Sequence, residues 1–296
     1  MATTGMVADL VRQVAGEHVV VESLMGAVDP HLFKPTPRDM IHLQAADLVF
    51  YSGLHLEGQM AHIFESQSGN SKFFAVTSGL SAEELLADEG SASHPDPHVW
   101  HDPLLWGKCA LQVAEVLAVR LPEHRDEFFQ NAERYQAELS RFDRFAAEVF
   151  QSVSPERRVL VTAHDAFRYF ANRYGLEVEA IQGISTESEA GLFDVNRLVR
   201  LVVSRKIPSI FVETTVNESY VRQVVAAARE QGWPVQLGGT LYSDALGDPG
   251  TYAGTCLGML DHNVATIASG LAAQREGPLS YRECLSGATP AALQPE

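Results

Sequence analysis

PEHRDEFFQNAERYQAELSRFDRFAAEVFQS, residues 122–152, is the stretch from which the fold is read. Its apolar positions are Phe128, Ala132, Tyr135, Leu139, Phe142, Ala146 and Val149, at spacings of 4, 3, 4, 3, 4 and 3. That is one sustained helical face. Pro122 stands where a helix can begin and Pro155 where one must end. About 30 residues at 1.5 Å each span about 45 Å, the width of a small domain. A coiled coil shares this period. The mid-chain position favours a single helix joining two lobes.

On both sides the pattern alternates between strand and helix. Upstream, helices are predicted at residues 4–16, 36–44, 56–65 and 104–121, with strands at 18–25, 46–51 and 73–76. Thr36-Pro37-Arg38-Asp39 reads as a helix start, with Thr36 as cap and Pro37 in the first turn. Downstream, strands at 158–163, 178–181, 208–212 and 235–237 alternate with helices at 165–174, 188–205, 219–230 and 252–271. Residues 238–251 hold four glycines and a proline and read as a loop. The predicted fold is α/β, with two lobes of mostly parallel sheet joined by one long rigid helix. The N-terminal lobe covers 1–121, the helix 122–152 and the C-terminal lobe 153–296, with a loosely held tail from about 273.

The chain of 296 residues carries 38 acidic and 22 basic residues, a net charge of -16. Such a balance argues against a nucleic-acid partner and suits attraction of cations. No run of 18 apolar residues is present, which excludes a hydrophobic membrane span of that kind. Cys109, Cys256 and Cys284 form no C-x-x-C pair, so a thiolate metal site is not expected.

Chemistry concentrates in Asp96-Pro97-His98-Val99-Trp100-His101-Asp102-Pro103. Proline stiffens the backbone on both sides of the histidines. The tripeptide Asp-Pro-His recurs at Asp29-Pro30-His31, past the first predicted lobe strand. His164 ends an apolar strand, and Asp244 lies in the late glycine-bearing loop. Ligands of open parallel sheets sit at the carboxyl ends of strands. His31, His98, His164 and Asp244 are therefore the candidate ligands of one divalent metal ion. His101 is a fifth donor or a neighbour. Glu213 ends another strand and either orients a ligand, caps a helix or serves as a base. Asp29, Asp96 and Asp165 are candidates to fix imidazole tautomers. His94 is expected to be exposed. No H-E-x-x-H or phosphate-binding glycine motif is present.

These motifs together resemble a known family. Asp29-Pro30-His31-Leu32-Phe33, Gly53-Leu54-His55-Leu56-Glu57, Asp96-Pro97-His98-Val99-Trp100, Thr162-Ala163-His164-Asp165, Gln182-Gly183-Ile184-Ser185-Thr186 and Gly238-Gly239-Thr240-Leu241-Tyr242-Ser243-Asp244 occur in order. They are similar to those of the metal-binding solute-binding proteins of zinc/manganese ABC importers, the TroA-like group or cluster A-I. The resemblance covers the chain to about residue 272. It implies a metal held in the cleft between lobes by His31 and His98 from one side and His164 and Asp244 from the other. It also implies capture of zinc, manganese or iron, delivery to an ABC-transporter permease, and no enzymatic activity. An exported monomer is expected, periplasmic or lipid-anchored, whose leader is absent from this chain. Two features depart from the pattern: Gly26-Ala27-Val28-Asp29 is a residue shorter than usual, and residues 81–97 hold one histidine, His94, in place of a histidine-rich loop. A zinc-dependent hydrolase with Glu213 as base, and a metal-scavenging adhesin using the same site, are the competing readings.

Overall fold

The computed structural model describes residues 1–66, 71–87, 94–272 and 277–286. In the N-terminal lobe, Thr4 caps helix α1 (Gly5–Ala15) by accepting from the Val7 amide at 3.2 Å. Helix α2 (Pro37–Ala45) starts as predicted: Thr36 and Asp39 form a reciprocal capping box with proline in the first turn. Strand β1 (Val49–Tyr51) pairs in parallel with β2 (Phe73–Ala75), with α3 (Ala61–Ser66) between them in sequence. The strand expected over 18–25 does not form. Only Ser23 makes a bridge, to Ala2, which also bridges Phe50. Val20 is 87% exposed, and the Val21 carbonyl accepts from the Arg12 guanidinium at 2.9 Å. A β-branched run without a ladder partner stays irregular.

Helix α4 (Pro103–Arg120) then packs along α5 (Arg125–Gln151), which a helical turn at Pro122–His124 precedes. All seven apolar positions of the 122–152 stripe are buried. At 27 residues, α5 is about 40 Å long. It is more than a strut. One continuous core runs from Ala2 through α1, α4 and α5 to helix α9 (Cys256–Gly270) of the C-terminal lobe. Buried Asp9 of α1 accepts from the amide of Cys256, the first residue of α9, at 2.9 Å. This satisfies a helix-terminal donor and ties the lobes together.

In the C-terminal lobe, β3 (Val159–His164) pairs in parallel with β4 (Glu177–Gln182), and β5 (Ser209–Glu213) with β6 (Gln236–Leu241). β3 lies beside β5. Helices α6 (Arg168–Tyr174), α7 (Leu192–Ser204) and α8 (Ser219–Glu230) are the connections; α6 ends at Gly175 in the left-handed conformation.

Two expectations fail here for physical reasons. The glycines at 238 and 239 belong to β6 and not to a loop. A Cβ at Gly238 would lie 2.6 Å from the Phe211 ring, and one at Gly239 2.5 Å from Thr266. Glycine here marks close packing of β5 and α9 on β6. The tail is also not wholly loose. Helix α10 (Tyr281–Ser286) carries Tyr281, which is buried against Phe142 and Phe145 with ring centroids 5.6 Å away. Asp261 accepts from Ser280, Tyr281 and Arg282 to hold its start. Residues 273–276 and 287–296 of that predicted tail lie outside the described residues.

Replacing Gly238 by Ala should destabilise the protein by about 1–3 kcal/mol in urea unfolding, because Phe211 must be displaced. Gly183→Ala, whose Cβ would meet nothing within 4 Å, should change stability by less than about 0.5 kcal/mol. Equal effects would contradict the packing role of Gly238.

Candidate metal centre

The repeated Asp-Pro-His tripeptide forms the same local structure twice. Asp29 accepts from the His31 amide at 2.9 Å, and Asp96 from the His98 amide at 3.0 Å. Each is a side chain closing a turn on the backbone two residues on, with proline stiffening the middle. Asp102-Pro103 has another use. Asp102 caps α4 by accepting from Leu104 and Leu105, with Pro103 in the first turn. The second tripeptide therefore presents His98 just ahead of a rigid helix.

The other two candidates arrive from strand ends. His164 is the last residue of β3, and Asp244 follows β6. His31, His98, His164 and Asp244 are all buried, and one potential ligand atom from each lies within 4.8 Å of the rest. His31 Nε2 is 3.3 Å from His98 Nε2. His98 Nε2 is 3.4 Å from Asp244 Oδ1, and His164 Nε2 3.1 Å from Asp244 Oδ2. Despite these distances, His164 Nε2 and both Asp244 oxygens have no aligned hydrogen-bond partner. Buried polar atoms are normally satisfied, and leaving them bare costs about 1–3 kcal/mol each. Here they cluster with the Nε2 atoms of His31 and His98. Three imidazole nitrogens and a carboxylate converging in this way suit a transition-metal ion.

Surrounding carboxylates set the tautomers. Asp96 Oδ1 lies 2.8 Å from His98 Nδ1, and Glu213 pairs closely with His164 Nδ1. A proton on each Nδ1 leaves Nε2 as the free donor atom toward the centre. Glu213 also accepts from the amides of Ala163 at 2.7 Å and His164 at 2.9 Å. Of the roles open to it from sequence, orienting His164 is the one its contacts support. Asp165 makes no such contact with an imidazole; its nearest cation is Arg168 at 3.9 Å. Asp29 spends its second oxygen on Thr186 Oγ1 at 2.7 Å, a bond that joins the two lobes beside His31. Trp100 Nε1 adds another, to the Ser243 carbonyl at 2.9 Å, next to Asp244. The Thr186 and Trp100 contacts carry no sequence signal of their own. His101 is fully buried against Trp100 and Phe167, outside the group of four. His94 is exposed, and its ring lies tilted by 38° against that of His55, with centroids 3.5 Å apart.

The electrostatics are those of a cation trap. Burial holds His31 and His101 neutral, each pushed down to about 3. At His98 burial pulls the same way, but the nearby carboxylates of Asp244 and Asp96 outweigh it and raise the imidazole to about 9. At His164 burial is likewise overcome, by the charges of Glu213 and Asp244, and the pKa rises. Asp244 is driven below the usual carboxylate range: its burial is outweighed by His164 and His98.

Comparison with known proteins agrees with this architecture. The chain belongs to the family described as "Zinc-uptake complex component A periplasmic", which matches residues 1–270. It is 42% identical over 272 residues to the manganese-binding lipoprotein MntA of Bacillus subtilis (strain 168), covering 91% of this chain and 88% of that one. It is equally 42% identical over 273 residues to the zinc-binding protein TroA of Treponema pallidum (strain Nichols), covering 92% and 88%. The solved structure of the periplasmic zinc-binding protein TroA from Treponema pallidum superposes with a TM-score of 0.87, over 91% of this chain and 97% of that chain. The structure of Fe(III)-bound YtgA from Chlamydia trachomatis gives 0.80 at 26% identity, covering 92% and 97%.

The raised pKa values of His98 and His164 set protons in competition with a metal for these nitrogens, so affinity should rise with pH and fall on acidification. The sequence alone places this loss below the ordinary histidine value of about 6.5. The carboxylates around His98 extend it upward toward about 9. Calorimetry in buffers of different ionisation enthalpy should detect proton release at neutral pH, and affinity should drop about tenfold per pH unit for each proton displaced. Binding without proton release would contradict the assigned protonation.

Proposed function

We propose that this chain captures a divalent transition metal, zinc, manganese or iron, at His31, His98, His164 and Asp244 and delivers it to the permease of an ABC importer. The observation that carries the reading is the buried convergence of four donor groups, with His164 Nε2 and both Asp244 oxygens lacking aligned hydrogen-bond partners. One carboxylate and three neutral imidazoles would lower the ion's charge from +2 to +1. The printed names and titles of the relatives, which include zinc-, manganese- and iron(III)-binding proteins, support this cargo class. The nitrogen-rich donor set favours the later first-row divalent ions on affinity alone.

The site is read as a carrier and not a catalyst. A metallohydrolase needs a free base beside the metal. Glu213, the carboxylate placed for that role, already accepts from two amides and an imidazole. Release would then be conformational. Asp29–Thr186 and Gln59–Glu187, each 2.7 Å, cross between lobes on the His31 side, whereas α5 and its core resist hinge bending. Opening would move the 183–191 loop away from His31 and leave the long helix in place. The lipoprotein and periplasmic names of the relatives and the family support an exported protein, which we read as a monomer. Among the described residues no helix is long and apolar enough to cross a membrane.

His98→Ala should abolish tight zinc and manganese binding by calorimetry and remove permease-dependent uptake, whereas His101→Ala should retain the stoichiometry. Thr186→Val should leave binding intact and speed metal release in stopped-flow competition with a chelator, with Thr186→Ser restoring the slow rate. Unchanged affinity in His98→Ala would refute the site. Tight binding without permease-dependent uptake would favour the scavenging adhesin.

A further inference from the structure

A second group of metal-binding side chains lies at the far end of the N-terminal lobe. His18 follows α1, His124 ends the turn before α5, and Glu127 stands in the first turn of α5. One potential ligand atom from each lies within 4.8 Å of the other two. His18 Nε2 is 2.8 Å from Glu127 Oε2. The His18 and His124 rings stack at 3.7 Å between centroids with 21° between planes. Both rest edgewise on Phe128, at 5.9 and 6.1 Å, and Phe128 is fully buried. Two imidazoles from segments more than 100 residues apart are thus held side by side by one core phenylalanine, with a carboxylate beside them.

This group is independent of the cleft. Helix α4 begins just after the His98–His101 turn and runs 18 residues away from it, about 27 Å, before the chain reaches His124. The donor set is two nitrogens and one oxygen. Zinc binds such atoms at about 2.0–2.2 Å, so tetrahedral ligands sit about 3.4 Å apart. The present separations, all within 4.8 Å, bracket that value, with His18 and Glu127 at 2.8 Å. Glu127 is about half exposed and His18 a quarter exposed, so water can complete the shell. Fewer protein donors and an open side make this the weaker of the two positions.

We propose that His18, His124 and Glu127 form a second, weaker site for a divalent transition ion of the zinc class. An ion there bridges the segment after α1 to the first turn of the long helix. Equilibrium dialysis of the full chain against zinc chloride should find two ions per chain, one tight and one weak. His18→Ala/His124→Ala should lose only the weak one, and Glu127→Gln should weaken it at least tenfold. His98→Ala/His164→Ala, which cripples the cleft, should keep the weak ion, with folding checked by circular dichroism. A stoichiometry of one in the wild-type chain, or a weak ion that survives His18→Ala/His124→Ala, would overturn the proposal. Because the single tight ion remains in that variant, failure here is distinguishable from failure of the cleft assignment.

Discussion

The buried stripe of α5 sets the geometry on which everything else rests. Phe128 to Val149 pack against α4 on one side and meet α1 and α9 on others, so a single core passes between the lobes. Asp9, capping α9 from within α1, adds a polar clasp to the same seam. Burying seven apolar side chains of this size contributes on the order of 10 kcal/mol before conformational entropy is counted. With the lobes locked at their backs, the strand ends of one are held at a fixed distance from the turns of the other. Four candidate ligands drawn from Asp29–His31, Asp96–His98, β3 and the end of β6 can then converge.

The centre itself is assembled from carboxylate–imidazole pairs. Asp96 and Glu213 hold the far nitrogens of His98 and His164, while Asp29 holds the His31 backbone and reaches Thr186 across the cleft. Such partners orient the ligands and raise their basicity. They also raise the proton affinity of His98 and His164, so protons and metal compete for the same lone pairs. Ion capture and acid sensitivity are therefore two consequences of one arrangement.

Much of this was legible in the sequence, and the failures have identifiable causes. The 3.5-residue spacing of the long helix, the capping box at Thr36–Asp39 and the strand ending at His164 are local signals, and each formed where expected. The two Asp-Pro-His turns were legible for the same reason, since the bond joins residues two apart. Glycines 238 and 239 misled because a loop former and a packing vacancy share one composition; only Phe211 and Thr266 reveal which applies. Ala2 carried no strand signal, yet it bridges two segments, while the more β-prone Val19–Val21 run found no partner. Within the centre, Glu213 lies 49 residues from His164 and Thr186 157 from Asp29, distances at which no spacing rule operates.

The proposed position of the metal ion is among His31, His98, His164 and Asp244. Anomalous diffraction from metal-loaded crystals, recorded at the absorption edge of the bound ion, tests it most directly. The strongest peak should lie about 2.0–2.2 Å from His31, His98 and His164 Nε2 and an Asp244 carboxylate oxygen. A strongest peak elsewhere, or one ligated by Glu213 or His101 in place of any of the four, would contradict it.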